Sequence, residues 1–136
     1  MDITEQIEEI EKIINEAKEL NITTPIIVEG SKDKIALKIL GFEGKIIKIN
    51  QGKSIFTFCE ELAKNFKEVI ILTDWDNRGG RLCRMLKKDL TANSIKHNED
   101  IRARLLFYCK KEAKDVEGIV PMLENMKRKA AEKPSD

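Results

Sequence analysis

The stretch Val69–Arg81, VIILTDWDNRGGR, decides the fold of this chain. It begins with four apolar residues, a pattern typical of a strand buried at the centre of a parallel sheet. The run then reaches Asp74 and Asp76, two carboxylates separated by one residue, and glycines and arginines follow. An ionised carboxylate beside a buried strand is costly unless its charge is compensated. The negative charges of Asp74 and Asp76 must therefore be compensated by another group.

Strand patterns and helix patterns alternate from Pro25 onward. The predicted strands are PIIVE (25–29), KIIKI (45–49), EVIILT (68–73) and RARLLFYC (102–109). The predicted helices are SKDKIALKILGF (31–42) with Ser31 as N-cap, SIFTFCEELAKNF (54–66), NRGGRLCRMLKKDL (77–90) and VEGIVPMLENM (116–126), where Pro121 lies near the first turn or marks the true start. This alternation implies right-handed crossovers and an α/β fold with about four mainly parallel strands flanked by helices.

An extra amphipathic helix precedes this alternation. Its apolar residues recur at three- and four-residue spacing, which predicts one stripe along a helix; they are Ile3, Ile7, Ile10, Ile14 and Ala17. Asn21 suits the end of the helix. The stripe packs either on its own domain or on a second copy, as a homodimer. The predicted division is therefore an N-terminal helix (1–24), one domain (25–126) and a solvated tail (127–136).

Composition restricts the classes of partner and compartment. A chain of 136 residues with 41% hydrophobic and 36% charged residues is typical of one globular domain. The net charge of +1 means that a nucleic-acid partner must meet a local basic patch. The isolated cysteines Cys59, Cys83 and Cys109 indicate apolar packing in a reducing cytoplasm. No apolar run approaches the ~20 residues of a membrane span, so no membrane partner is expected.

Polar residues follow three of the predicted strands. In open parallel sheets, ligands bind beyond the carboxyl ends of the strands. Those positions hold Glu29 and Gly30 at the end of the first strand, Asn50–Gly52 at the end of the second, and Asp74 and Asp76 at the end of the third. The sequence therefore predicts a polar rim at this edge of the sheet.

Three kinds of compensation are open to the aspartate pair. Two carboxylates about 4 Å apart repel by about 4 kcal/mol at an effective dielectric near 20. A hard divalent cation, a nearby arginine or a raised pKa would each relieve this. Oxygen ligands without histidine favour Mg²⁺, with Mn²⁺ as its substitute. The alternative is that Asp74 caps the third helix or its turn while Asp76 pairs with Arg78 or Arg81.

The segments VEG (28–30) and TDWD (73–76), each at a strand end, resemble the Toprim domain. This is the catalytic fold shared by type IA and type II topoisomerases, bacterial-type primases, certain nucleases and recombination-mediator proteins. The resemblance runs from Pro25 to about Met126 and implies a Toprim-type Rossmann-like sandwich. It also implies that Asp74 and Asp76 hold Mg²⁺ and that Glu29 is a metal ligand or a general acid/base. These three are the predicted catalytic and metal residues.

Further segments are similar to particular members of that family. VEGSKDKIAL (28–37), INQGKSI (49–55) and EVIILTDWDNRGGRL (68–82) are similar to the Toprim domain of the nuclease that matures 5S ribosomal RNA. In the first of them Lys32 and Asp33 lie on the turn after the glutamate. KEAKDVEGI (111–119) resembles a late segment of primase Toprim domains and adds Asp115 and Glu117 as outer acidic residues.

Two aromatic residues bear on this resemblance. Trp75 departs from the family pattern, and it is either a stacking face for a base or a packed aromatic beside the turn. Tyr108, in a strand pattern, is a poor nucleophile, so strand scission by covalent tyrosine capture is not expected.

Basic and glycine residues near the rim are candidates for phosphate binding. They are Gly30, Lys32, Gly52, Lys53, Arg78, Gly79 and Arg81. Arg81, Arg84 and Lys88 form a basic stripe that either guides a nucleic-acid backbone or is merely solvated. His97, in a polar loop pattern, is interpreted as a surface residue.

The leading hypothesis is a magnesium-dependent protein that acts on phosphodiester bonds of RNA or DNA, as a nuclease or RNA-processing enzyme. The alternative is a non-catalytic adaptor that uses the same fold for nucleic-acid binding or assembly. Fold alone does not decide between them.

Overall fold

A computed structural model describes residues 1–49 and 52–132. Six helices lie in these ranges: α1 (Ile3–Asn21), α2 (Ser31–Ile39), α3 (Ile55–Ala63), α4 (Asn77–Ala92), α5 (Asp100–Cys109) and α6 (Val116–Ala131). Four strands accompany them: β1 (Ile26–Val28), β2 (Ile46–Lys48), β3 (Glu68–Ile71) and β4 (Lys96–Asn98). The predicted strand-end residues Asn50 and Gln51 lie outside the described residues, as do 133–136.

The four strands form one sheet in the order β2-β1-β3-β4, and every pair is parallel. This confirms the predicted α/β fold with an additional N-terminal helix. The central strands β1 and β3 carry continuous apolar runs because helices cover both of their faces.

Side chains alternate between two apolar clusters on either side of the sheet. Ile26 and Val28 pack with α1, α2, α5 and α6. Ile27 packs with α3 and α4 on the opposite face. The molecule is therefore a three-layer sandwich, and elements from both layers reach the carboxyl edge of the sheet.

The stripe of α1 packs within its own chain. Ile7, Ile10, Ile14 and Ala17 are buried in the same cluster as α5 and α6, and Ile13 joins them. The stripe is therefore not free for the homodimer that the sequence allowed through this helix. Asn21 ends the helix, as predicted.

The fourth predicted strand is wrong. Residues 102–109 belong to helix α5, whose buried residues Ile101, Leu105 and Cys109 recur at four-residue spacing. The strand is instead β4, so His97 is a strand residue and Tyr108 a helical one. Because β4 lies at the edge of the sheet, it is polar and half-exposed, and it shows no apolar alternation in the sequence.

Several helix boundaries also differ from the predictions, notably those of α2 and α6. Gly30, not Ser31, is the N-cap of α2, and Ser31 Oγ accepts a hydrogen bond from Lys48 Nζ at 3.1 Å. Helix α6 begins after Asp115, holds Pro121 in its interior and continues to Ala131, into the predicted tail. None of the helices in the described ranges is long and apolar enough to cross a membrane.

Candidate metal centre

A tight turn joins β3 to α4. Gly79 N–H donates to Asp76 Oδ1 at 2.7 Å, which makes Asp76 the N-cap of α4. Thr73 Oγ1 donates to Gly79 O at 2.9 Å. A Cβ on Gly79 would lie 1.9 Å from Asp74 O, so only glycine fits there. The alternative in which Asp74 caps this helix is therefore wrong, because the N-cap of α4 is Asp76.

Three aspartates from separate parts of the chain meet at the end of β3. Asp33 comes from the first turn of α2, Asp74 from the turn after β3, and Asp115 from the N-cap of α6. One carboxylate oxygen from each lies within 4.8 Å of the others. Asp115 uses Oδ1 to accept from Gly118 N–H at 2.8 Å. The sequence indicates Asp33 only as a residue on the turn after Glu29 and Asp115 only as an outer acid, and folding brings both to Asp74.

The concentration of negative charge changes the titration of this cluster. Burial, followed by the charges of Glu29, Asp33, Asp115 and Asp76, raises the pKa of Asp74 to about 7. Burial, and then the charge of Asp115, also raises the pKa of Asp33. Asp74 is therefore poised between its neutral and ionised forms near neutral pH.

Glu29 lies next to Asp74 but has partners for both oxygens. Its Oε2 accepts from Asp74 N–H at 2.7 Å, and its Oε1 pairs with Arg78 Nη2 at 3.0 Å. The side chain of Arg78 is 75% exposed, whereas that of Glu29 is 11% exposed. Arg78, which the sequence alternative paired with Asp76, thus pairs with Glu29. Among the described residues, Glu29 and Asp76 lie outside the group of three aspartates.

Two side chains fix the loops that carry the aspartates. Arg102 donates to Thr73 O at 3.0 Å and to Asp74 O at 2.7 Å. Trp75 donates from Nε1 to Ala113 O at 2.6 Å and from its backbone to Lys114 O at 2.9 Å. Trp75 is only 9% exposed, so it is a packed aromatic rather than a stacking face. Arg102 cannot be recognised from the sequence as a site residue, because its segment, 102–109, has the apolar pattern of a strand.

A cavity of about 640 Å³ opens beside the aspartates. Most of the predicted phosphate-binding residues line it, namely Gly30, Lys32, Lys53, Arg78 and Arg81, and so does the predicted outer acid Glu117. Gly79 is buried in the turn, and Gly52 lies exposed in the loop before α3. Arg84 and Lys88, the rest of the basic stripe, are exposed on α4.

The residues present fit a hard divalent cation. All three donors in the group are carboxylate oxygens, which Mg²⁺ and Mn²⁺ prefer. Burial, and after it the charges of four nearby carboxylates, raise the pKa of Asp74, so negative potential at the same point is uncompensated. A bound cation would relieve that potential.

Known proteins are similar to this chain in sequence and in fold. The Toprim domain family matches residues 1–107. A UPF0292 protein of Methanosarcina barkeri is 36% identical over 91% of this chain and 87% of its own length. A UPF0292 protein of Methanocaldococcus jannaschii is 37% identical over 82% of this chain and 90% of its own length. Among solved structures, a putative protein from Aquifex aeolicus is 26% identical, with a TM-score of 0.59 over 86% of this chain and 97% of that one.

The family match contains the strand-end acids Glu29, Asp74 and Asp76, and it also contains Asp33. The match ends before Asp115 and α6. The chain therefore belongs to the Toprim domain family, together with archaeal UPF0292 proteins, and this membership associates it with metal-dependent, nucleic-acid-related function.

Proposed function

We propose that this protein is a magnesium-dependent enzyme that hydrolyses phosphodiester bonds of RNA or DNA, as a nuclease or an RNA-processing enzyme. One observation carries the proposal: Asp33, Asp74 and Asp115 converge in a cavity that cationic side chains also line. These cationic residues, which form the rim of the cavity, are Lys32, Lys53, Arg78 and Arg81. Carboxylates alone would repel a nucleic acid, and cations alone would bind it without chemistry. We also propose that the protein is cytoplasmic, as its isolated cysteines predict.

In this proposal Asp74 is the central ligand, and Asp33 and Asp115 hold the ion with it. Glu29 and Asp76 were the other ligands expected from the sequence. Both oxygens of Glu29 have partners, Asp74 N–H and Arg78, whereas within the described residues Asp76 engages only Oδ1, with Gly79 N–H. When bound, Mg²⁺ (or Mn²⁺) supplies Lewis-acid stabilisation of negative charge on a phosphate oxygen.

The remaining side chains bind and orient the substrate. Arg78 and Arg81 lie on the first turns of α4 beside the aspartates, where their guanidinium groups suit bidentate contact with a phosphate. Lys53, just before the N-cap of α3, also lines the cavity and adds a further cationic contact. Glu29 is the group we assign to proton transfer, because it lines the cavity and touches both Asp74 and Arg78.

A cleavage assay tests the proposal. Structured RNA, single-stranded DNA and duplex DNA are incubated with the protein in Mg²⁺ or Mn²⁺, and again in EDTA. We expect metal-dependent cleavage that Asp74→Asn abolishes and Glu29→Gln reduces at least about a hundredfold. Glu8→Gln removes a charge from the exposed face of α1 and serves as the matched control. Cleavage that persists in EDTA, or in Asp74→Asn, would contradict the proposal.

One observation favours the non-catalytic adaptor as a second candidate. Both oxygens of Glu29 are engaged, so the group assigned to proton transfer is held by partners. An adaptor would bind Mg²⁺ and nucleic acid but cleave none of the three substrates. In that case the Asp74→Asn variant would lose metal binding with no activity to lose.

A further inference from the structure

The wall of the cavity opposite the aspartates is apolar. It consists of Ile49 after β2, Ile55 at the start of α3, and Leu82 and Met85 on α4; we call these four residues the apolar wall. Met85 is 51% exposed, whereas Ile49 is 6% exposed. The wall thus runs from the buried core outward to solvent, and it presents hydrocarbon to a cavity whose remaining lining is mostly charged.

The two sides of the cavity come from opposite layers of the sandwich. The carboxylates of Asp33 and Asp115 belong to helices on the α2 and α6 side, whereas the apolar wall belongs to the α3 and α4 side. The carboxyl edge of the sheet, with Asp74, lies between them. A ligand that spans this edge contacts charge at one end and hydrocarbon at the other.

The rim limits the chemistry of that ligand. Arg81 lines the cavity beside Leu82, is exposed, and forms no ion pair within residues 1–49 and 52–132. Lys53 flanks Ile55 and pairs with Glu61 at the surface. A purely apolar peptide would cover the wall but leave Arg81 without an anion. A nucleotide satisfies both requirements, since it joins a phosphate to a flat, weakly polar ring.

We propose that the apolar wall is a subsite for one unpaired nucleobase, whose phosphate faces Arg78, Arg81 and the aspartates. This inference rests on the proposed function and specifies its substrate. In a duplex the faces of each base are stacked on their neighbours, so only a single strand, a loop or a frayed end offers a free face. The volume of about 640 Å³ lies within the range of about 300–1,000 Å³ that small-ligand sites occupy.

Binding measurements with matched probes test this subsite. The probes are a short fluorescent 2′-O-methyl-RNA single strand, the duplex of the same sequence, and the same strand with abasic residues. Fluorescence anisotropy in Mg²⁺ gives the Kd of each. We expect the single strand to bind about fivefold or more tightly than either the duplex or the abasic strand.

The variant Met85→Ser removes exposed hydrocarbon from the wall without adding charge. We expect it to weaken binding of the base-containing strand about fivefold and to leave the abasic strand unchanged. Phe107→Ser is the matched control, because Phe107 is 69% exposed on α5 and away from the cavity. Equal weakening of both strands by Met85→Ser, equal binding of single strand and duplex, or no binding of any strand would overturn the inference.

The two proposals fail in distinguishable ways. If metal-dependent cleavage is present but the duplex binds as well as the single strand, the subsite is wrong and the enzyme stands. If the base-dependent binding is present but no substrate is cleaved, the subsite stands and the protein is an adaptor.

Discussion

Asp74 occupies an unfavourable position for an ionised carboxylate. It is half-buried, and four other carboxylates add to the potential that raises its pKa. A side chain in this position costs stability unless a cation compensates it. We therefore expect the residue to link the stability of the fold to pH and to metal.

The pKa of Asp74 predicts a specific pH dependence. Since the pKa rises from its ordinary 3.8 to about 7, the folded protein binds more protons than the unfolded chain between these values. Its free energy of unfolding should therefore fall as pH rises from about 4 to about 7. Asp74→Asn removes this loss, and we expect it to stabilise the metal-free protein by about 2 kcal/mol at pH 8 but hardly at pH 4.

Urea unfolding of both proteins in EDTA at the two pH values measures this effect. Mg²⁺ at pH 8 should stabilise the wild type and leave Asp74→Asn unchanged, because binding to the folded state alone raises stability. A variant less stable than the wild type at pH 8 in EDTA would show that Asp74 is compensated within the protein.

Gly79 and Gly80 give a second prediction, because they are neighbours with opposite steric surroundings. A Cβ on Gly79 would lie 1.9 Å from Asp74 O, whereas at Gly80 the nearest atom is Arg84 Nη1 at 3.8 Å. We expect Gly79→Ala to destabilise the fold by about 3 kcal/mol or more. Gly80→Ala, inside α4, should stabilise it by about 0.5–1 kcal/mol. Thermal or urea unfolding of the pair measures both, and similar effects of the two changes would refute the proposed turn geometry.

At the scale of elements, the site depends on contact between two loops. Trp75 joins the turn after β3 to the loop before α6 through its hydrogen bonds to Ala113 O and Lys114 O. That second loop ends at Asp115. The distance between Asp74 and Asp115 is therefore set by Trp75 as well as by the sheet.

Trp75→Phe tests this coupling. Phenylalanine keeps most of the packed ring but removes the Nε1 donor, which leaves the buried Ala113 O without it. We expect a loss of stability of about 1–2 kcal/mol and a loss of Mg²⁺ affinity of about tenfold, measured by calorimetry. Unchanged Mg²⁺ affinity with the expected loss of stability would show that Trp75 supports the fold and not the site.

Elements with strong apolar periodicity could be predicted, and those without it could not. Strand β3 and helix α4 follow from the run Val69–Leu72 and from Leu86 and Leu90 at four-residue spacing. Strand β4 could not be found, because an edge strand needs few apolar side chains and Lys96–Asn98 has none. The apolar run in 102–109 has the composition of a strand, although Leu105 and Cys109 carry a helical period.

At the scale of the whole molecule, the candidate site was predictable only where it follows a strand. Glu29 and Asp74 are adjacent as predicted, because the ends of neighbouring parallel strands meet. Asp76 also has extended backbone, but it caps α4 through Gly79 N–H and lies outside the group of three aspartates. Asp33 and Asp115 reach the site through the packing of α2 against α6, which no local pattern encodes.

The most direct test of this account is a crystal of the protein grown with Mn²⁺, examined by anomalous diffraction at the manganese edge. We predict a peak at a bonding distance of about 2.0–2.5 Å from oxygens of Asp74 and of at least one of Asp33 and Asp115. The same crystal form of Asp74→Asn should lack it. A wild-type map without a peak at the three aspartates, or with manganese held elsewhere on the surface, would contradict the account.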